Sequence, residues 1–233
     1  MTRSFRLFCT LLFTVALLLA RPARASASPE LDKVLKQLDA ASARFQSARA
    51  DFKWDQYTKV VNETDTQKGT IYFKRSGAAT LMAAQIMDDS GTAIAKDLIY
   101  KNGSLQLYQP KIDEYKEYPA GKNRNQYESF LTLGFGGRGS DLLKNWDMTY
   151  QGIEPVSDGS KMVPTAKLDL ISKEKSVRDM FPHITIWVDA ERGVSLKQIV
   201  YQPSGDMRTG YYTNIRYNDA KSVPDSVFTI KRK

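Results

Sequence analysis

Leu98-Ile99-Tyr100-Lys101-Asn102-Gly103-Ser104-Leu105-Gln106-Leu107-Tyr108-Gln109-Pro110 decides the fold class. An Asn-Gly pair between two segments of alternating apolar and polar residues is the strongest short-range hairpin signal, because both residues tolerate the positive φ of a two-residue turn. Working outward, further turn signals stand at Asp88–Gly91, Pro110 and Pro119. They bound expected strands at about 79–87, 93–100, 104–109 and 112–118. Upstream, Ala50, Phe52, Trp54, Gln56, Thr58 and Val60 alternate with charged and polar residues, the period of a long half-buried strand. The polar Asn62–Thr66 segment then turns the chain, and Gly69, Ile71 and Phe73 keep the two-residue period up to Lys74-Arg75. Downstream, strands are expected at about 147–153, 163–172, 183–189, 194–202, 206–217 and 226–231, with turns at Asp189–Gly193 and Pro203–Asp206.

Two regions break this alternation. Over Pro29–Ala48, Leu31, Val34, Leu35, Leu38, Ala41, Phe45 and Ala48 recur at three- and four-residue steps, one stripe of an amphipathic helix, with Ser28 and Pro29 suited to its cap and first turn. Between Lys122 and Trp146, two short helices are expected on either side of Gly134-Phe135-Gly136-Gly137-Arg138-Gly139, and a helical turn is expected around Ser176–Met180. Many antiparallel strands with few helices give a mainly β, α+β fold. A curved antiparallel sheet has a concave face, and helices laid across it bury their apolar stripes, so the expected architecture is a half-open β-barrel under a helical lid. Residues 28–233, roughly 205, suffice for one such domain.

The first 27 residues read separately. Arg3 and Arg6 precede an apolar run from Leu7 to Ala20, and small residues follow at Ala23, Ala25 and Ala27, the order of a cleaved secretory signal peptide. Cleavage removes Cys9, the only cysteine, leaving an exported product without thiol or disulfide chemistry. Arg3, Arg6, Arg21 and Arg24 leave with it, so the net charge falls from +8 to +4 and no basic cluster calls for nucleic acid. No later stretch is apolar enough for stable membrane insertion, which takes about 20 residues.

Catalytic patterns find little support. Gly134, Gly136 and Gly139 fit G-x-G-x-x-G, but a dinucleotide site needs a strand before the glycines and a helix after them in a βαβ unit. Gly134, Gly136, Gly137 and Gly139 read instead as a hinge between lid helices. His183 is the only histidine, which rules out multi-histidine zinc sites. Adjacent carboxylates such as Asp88/Asp89 and Asp113/Glu114 point to opposite faces of a strand, so neither pair converges for glycoside hydrolysis. The expectation is a non-enzyme without metal or cofactor; a hydrolase working through carboxylates is the enzymatic alternative. The many aromatics serve chiefly as packing, those on the concave face lining a pocket, with Met82, Met87, Met148 and Met180 as adaptable surface.

The ordered pieces resemble the LolA family of periplasmic lipoprotein carriers. The likeness runs from the N-terminal helix into Phe45–Phe52, through Gly69-Thr70-Ile71-Tyr72-Phe73-Lys74-Arg75, the Asn-Gly hairpin up to Pro110 and Phe130–Leu133, to Asn214-Ile215 and Val227-Phe228. It implies an unclosed barrel with three helices as a lid over an apolar cavity, and a latch role for Arg75, the arginine that hydrogen-bonds the lid. Family members usually have proline next, where this chain has Ser76-Gly77. The residues expected at the cavity are Phe52, Trp54, Ile71, Phe73, Leu81, Tyr100, Leu107, Phe130, Leu133, Trp146 and Trp187. The implied function is a monomeric periplasmic carrier shielding lipoprotein acyl chains, or similar lipids, between an inner-membrane release complex and an outer-membrane acceptor protein. The alternative is an envelope sensor or scaffold on the same fold.

Overall fold

Ser28 Oγ accepts from the amide of Leu31 (3.2 Å) and so starts helix α1, Pro29–Arg44, with Glu30 and Asp32 at its positive end and Arg44 at its negative end. The computed structural model describes residues 28–77, 79–121 and 124–232; the expected signal peptide, 1–27, lies outside them. The helix ends four residues before the expected Ala48. The Asn218 side chain accepts from the amides of Gln46 and Ser47 and donates to the Arg44 carbonyl, which turns the chain into strand pairing. Phe45 and Ala48, apolar members of the helical stripe, thus serve the following strand.

The strands are β1 Ser47–Thr58, β2 Glu63–Ser76, β3 Ala79–Met87, β4 Ile94–Lys101, β5 Ser104–Gln109, β6 Glu114–Pro119, β7 Trp146–Ser157, β8 Met162–Ser172, β9 Ile184–Asp189, β10 Val194–Tyr201 and β11 Met207–Tyr217. They form one antiparallel sheet in the order β6-β5-β4-β3-β2-β1-β11-β10-β9-β8-β7. Asn102 (φ 56°) and Gly103 (φ 76°) make the tight β4–β5 turn as expected. The first and last strands meet in the middle and two meanders grow outward to free edges at β6 and β7. The chain must cross from one edge to the other, and that crossing holds α2 (Arg124–Leu131) and α3 (Gly139–Asn145). The lid is therefore the connection that an unclosed barrel requires. A short α4, Lys175–Met180, follows β8.

Two apolar clusters fill the concave side. Leu31, Leu35 and Leu38 of α1 pack with Leu168, Leu170, Ile184, Ile186 and Val188. Ala48, Ala50, Phe52, Ile71, Phe73, Met82, Ala84 and Tyr100 form the second, under the lid connection. The expected strand at 226–231 is instead a 3₁₀ turn at Asp225–Phe228 leading into irregular chain. Val223 and Phe228 cover Ala83 and Ile99 on the convex face, so this apolar segment is buried without joining the sheet. Among the described residues, no helix is long and apolar enough to cross a membrane.

Candidate functional site

Between the lid connection and β1–β5 lies an apolar cavity of about 220 Å³. The pleat decides which side chains reach it: Trp54, Ile71, Phe73, Met82, Leu98 and Leu105 share one face through the register β1–β2–β3–β4–β5. From above come Phe130, Leu131, Leu133 and Phe135. Phe135 stacks on Phe73 (4.2 Å between centroids) and meets Tyr212 edge-on at 5.1 Å. The polar groups at the floor are engaged. Gln198 Nε2 donates to the Leu133 carbonyl (2.7 Å), Tyr212 donates to Gln198 Oε1 (3.2 Å), and the Arg208 guanidinium lies over the Trp54 ring. Burial raises the Tyr212 pKa, so its hydroxyl stays neutral. Ligand pockets typically enclose about 300–1,000 Å³. This one is smaller because lid side chains occupy its mouth.

The lid connection is fastened at Gly134–Gly136. Its Phe135 forms a bridge with Val194; Ser195 N donates to the Gly134 carbonyl (2.6 Å) and Gly136 N to the Gly193 carbonyl (3.1 Å). The Gly136 carbonyl then accepts from both Ser42 Oγ and Arg75 Nη2, each at 2.7 Å. Arg75 also reaches Ser42 Oγ at 3.2 Å and, through Nη1, Thr80 Oγ1 at 3.3 Å. One guanidinium thus joins β2, the end of α1 and the lid loop. All its partners are neutral, and among the described residues it forms no ion pair. Burial lowers its pKa, and the neighbouring Arg138 charge adds to that. At Gly136 (φ 70°) a Cβ would stand 2.3 Å from the Phe45 ring, and at Gly139 it would stand 2.4 Å from the Leu35 carbonyl. These glycines permit close packing in the closed arrangement; Gly137 has no such contact.

Of the eleven residues expected at the cavity, Trp54, Ile71, Phe73, Phe130 and Leu133 come together there. Phe52 stacks beside Trp54 at 4.0 Å. Tyr100 is buried under α2 and donates to Glu128 (3.3 Å); burial first, then that carboxylate, push its pKa up to about 12. Trp146 donates to Ser129 Oγ (3.0 Å) from within the α1 cluster. Leu107 pairs with Leu98 on the concave face but lies beyond the cavity lining. Leu81 and Trp187 are corrections. Leu81 pairs with Lys74 and packs against the C-terminal cover, while Trp187 pairs with Lys167 and Lys197; both side chains are on the convex face. Sequence reading missed Leu98, Leu105, Leu131, Phe135 and Tyr212. The signal for the first two was present, since they flank the Asn-Gly turn at positions that a two-residue hairpin puts on one face.

The catalytic alternatives gain no geometry. Gly134–Gly139 follows a helix, not a strand. The His183 ring stacks on Tyr201 at 4.0 Å. Asp113 accepts from Tyr108, Glu114 pairs with Lys116, and Asp88 caps its own turn. Among the described residues, no three His, Cys, Asp or Glu gather as metal ligands would.

No protein-family model and no curated protein matches the sequence. Solved structures do. MucB matches with a TM-score of 0.53 at 14% identity over 88% of this chain and 64% of that one. The MucA/MucB complex of Pseudomonas aeruginosa matches at 0.51, 14% identity, 87% and 61%. This chain therefore spans less than two thirds of the MucB chains. A LolA-superfamily protein from Nitrosomonas europaea matches at 0.41, 12% identity, 86% and 97%. At these identities the likeness is one of fold.

Proposed function

We propose that this chain, whose sequence resembles the LolA family and whose fold is similar to that of MucB, is a non-enzymatic carrier of lipoprotein acyl chains, or similar lipids, in the periplasm. The observation that carries this reading is the apolar cavity closed by a separately fastened lid. Each acyl CH₂ withdrawn from water is worth about 0.8 kcal/mol, so chains of ordinary length need a shield to leave a membrane at all. Cargo displaces Phe130, Leu131, Leu133 and Phe135, and the apolar area it buries offsets the lost lid contacts. Gly134–Gly139 supplies the hinge, and the Arg75 bond to Gly136 sets how readily the lid reopens for release. A membrane release complex and an acceptor protein stand at the two ends of this transfer.

The test is to purify the processed protein from its own cells, extract it with solvent and identify copurifying lipid by mass spectrometry, alongside displacement of a fluorescent fatty-acyl probe. Lipid in the extract and saturable probe binding are expected; a protein that retains none and ignores the probe is not a carrier. The second reading, an envelope sensor or scaffold that binds another protein, draws on the fold shared with MucB, which is solved in complex with MucA. Pull-down separates the two: a sensor holds one signalling partner, whereas a carrier finds a donor and an acceptor.

A further inference from the structure

The convex face holds a row that the strand register assembles from six strands. Lys68 stands opposite Lys53, Lys53 opposite Tyr211, Tyr211 opposite Lys197, Lys197 opposite Trp187 and Trp187 opposite Lys167. The ammonium groups lie on the rings: Lys197 is 4.3 Å from Trp187 and 5.7 Å from Tyr211, Lys167 is 5.1 Å from Trp187, and Lys53 is 5.8 Å from Tyr211. Cation–π contact fixes their positions without neutralising them. Lys53 pairs with Asp55 and Lys167 with Glu154, but Lys68 and Lys197 form no ion pair among the described residues. Lys53 and Lys68 are like charges directly opposed across two strands, which costs stability; Asp55, bonded to Lys53 at 2.7 Å, lies near both and leaves the pair a net positive charge.

This row borders a groove of about 690 Å³. The far wall is the β7–β8 hairpin, which arches over the sheet until the Asp158 carbonyl accepts from Asn214 N of β11 (2.8 Å). Pro155, Val156 and the 60% exposed Met162 make that wall apolar, and Glu154 within it is committed to Lys167 and to Trp187 Nε1. Lysines on one side and apolar side chains on the other match a molecule with a charged head and a short greasy chain, and the volume suits a small ligand. An extended peptide is disfavoured, because β10 and β11 are paired on both sides and offer it no backbone partners.

We propose that this groove is a second binding site, outside the lid cavity, for a single-chain anionic amphiphile whose phosphate or carboxylate head bridges Lys53, Lys68 and Lys197. The test uses ¹⁹F spectra of the full processed chain labelled with fluorotryptophan, since its three tryptophans report different places: Trp187 the groove, Trp54 the cavity and Trp146 the α1 cluster. Dodecyl phosphate and laurate are expected to shift the Trp187 resonance saturably. Dodecyl maltoside, whose head is neutral, should leave it in place, and inorganic phosphate should bind at least about tenfold more weakly. The Lys53→Gln/Lys68→Gln double variant alters two exposed side chains; it should weaken the Trp187 response about tenfold and spare that of Trp54. Shifts at Trp54 or Trp146 alone, an equal Trp187 response to the neutral head, or an unchanged affinity in the double variant would each overturn the site. A response at Trp187 without one at Trp54 would sink the cavity-carrier reading and leave the groove standing.

Discussion

The two halves of the concave face solve the same problem differently. Under α1, β8 and β9 present Leu168, Leu170, Ile184, Ile186 and Val188, all fully buried and meeting the helix stripe directly. Under the lid connection, β1–β3 present Ala48, Ala50, Gly69 and Ala84 between a few large rings, and an open volume remains. The hollow therefore comes from small residues on particular strands rather than from the presence of a lid, since both halves are covered. One half is built for stability and the other leaves room.

Truncation should separate them most clearly. Ile186→Ala removes a fully buried side chain from the packed half and should cost about 2–5 kcal/mol. Leu105→Ala, at the cavity wall, should cost less than about 1.5 kcal/mol, because its surroundings already lack partners on one side. Urea denaturation of both variants checks the contrast, and equal losses would erase it. The next effect in size is at the fastening. Gly136→Ala should cost about 2 kcal/mol or more, since the new methyl meets the Phe45 ring at a left-handed backbone position.

How much of this division the sequence disclosed depends on exposure of the second face. Where one face of a strand is wet, as along β1 and β2, alternation placed Trp54, Ile71 and Phe73 correctly. In Ile184–Asp189 the apolar Ile184, Ile186 and Val188 alternate with Thr185 and Asp189, but the strand is buried along its whole length and Trp187 is a large apolar residue within the polar set, so its side was misassigned. Leu81 failed for a related reason: Val223 and Phe228 cover the convex face there, which makes both sides of β3 apolar. The same cover misled the reading of 226–231, whose apolar residues serve a 3₁₀ turn with Pro224 at its N-cap. The bonds of Arg75 to Ser42 and Gly136 span 33 and 61 residues. No local pattern encodes such contacts, and only the family resemblance singled out Arg75.

Two smaller effects test whether the hollow half gives up stability for room. Arg75→Leu should lower stability by about 1–2 kcal/mol, since Ser42 still serves the Gly136 carbonyl. If Arg75 is a latch, the same variant should trap cargo or slow its delivery, measured as acyl-probe transfer to acceptor vesicles; unchanged transfer rules out the role. Ala84→Leu points a larger side chain into the cavity. It should raise stability by about 1 kcal/mol while reducing probe binding, the expected trade where a site is kept open. If it destabilises, the cavity is already filled as far as its walls allow.

The smallest effects are titrations, and they fall on opposite halves at opposite ends of the pH scale. The carboxylate of Asp158, at the β7–β8 tip, accepts from the amides of Ser160 and Lys161 and from Ser160 Oγ. These bonds hold its pKa at about 2, below the ordinary 3.8. A lowered folded pKa means that its contribution is complete above pH about 4 and is lost as pH falls through about 2. Tyr100 runs the other way, with its pKa raised from 10.0 to about 12. Its contribution is complete below pH 10 and is lost as pH rises towards 12. Acid should therefore loosen the hairpin beside the packed half, and alkali the contact between β4 and α2 at the hollow half. Thermal melts across pH should show the acid loss reduced in Asp158→Ala and the alkaline loss reduced in Tyr100→Phe. In the alkaline range the acyl probe should enter faster in the parent protein than in Tyr100→Phe, because only the parent places a phenolate against Glu128 at the lid; equal rates would mean that this hydroxyl has no part in closing the cavity.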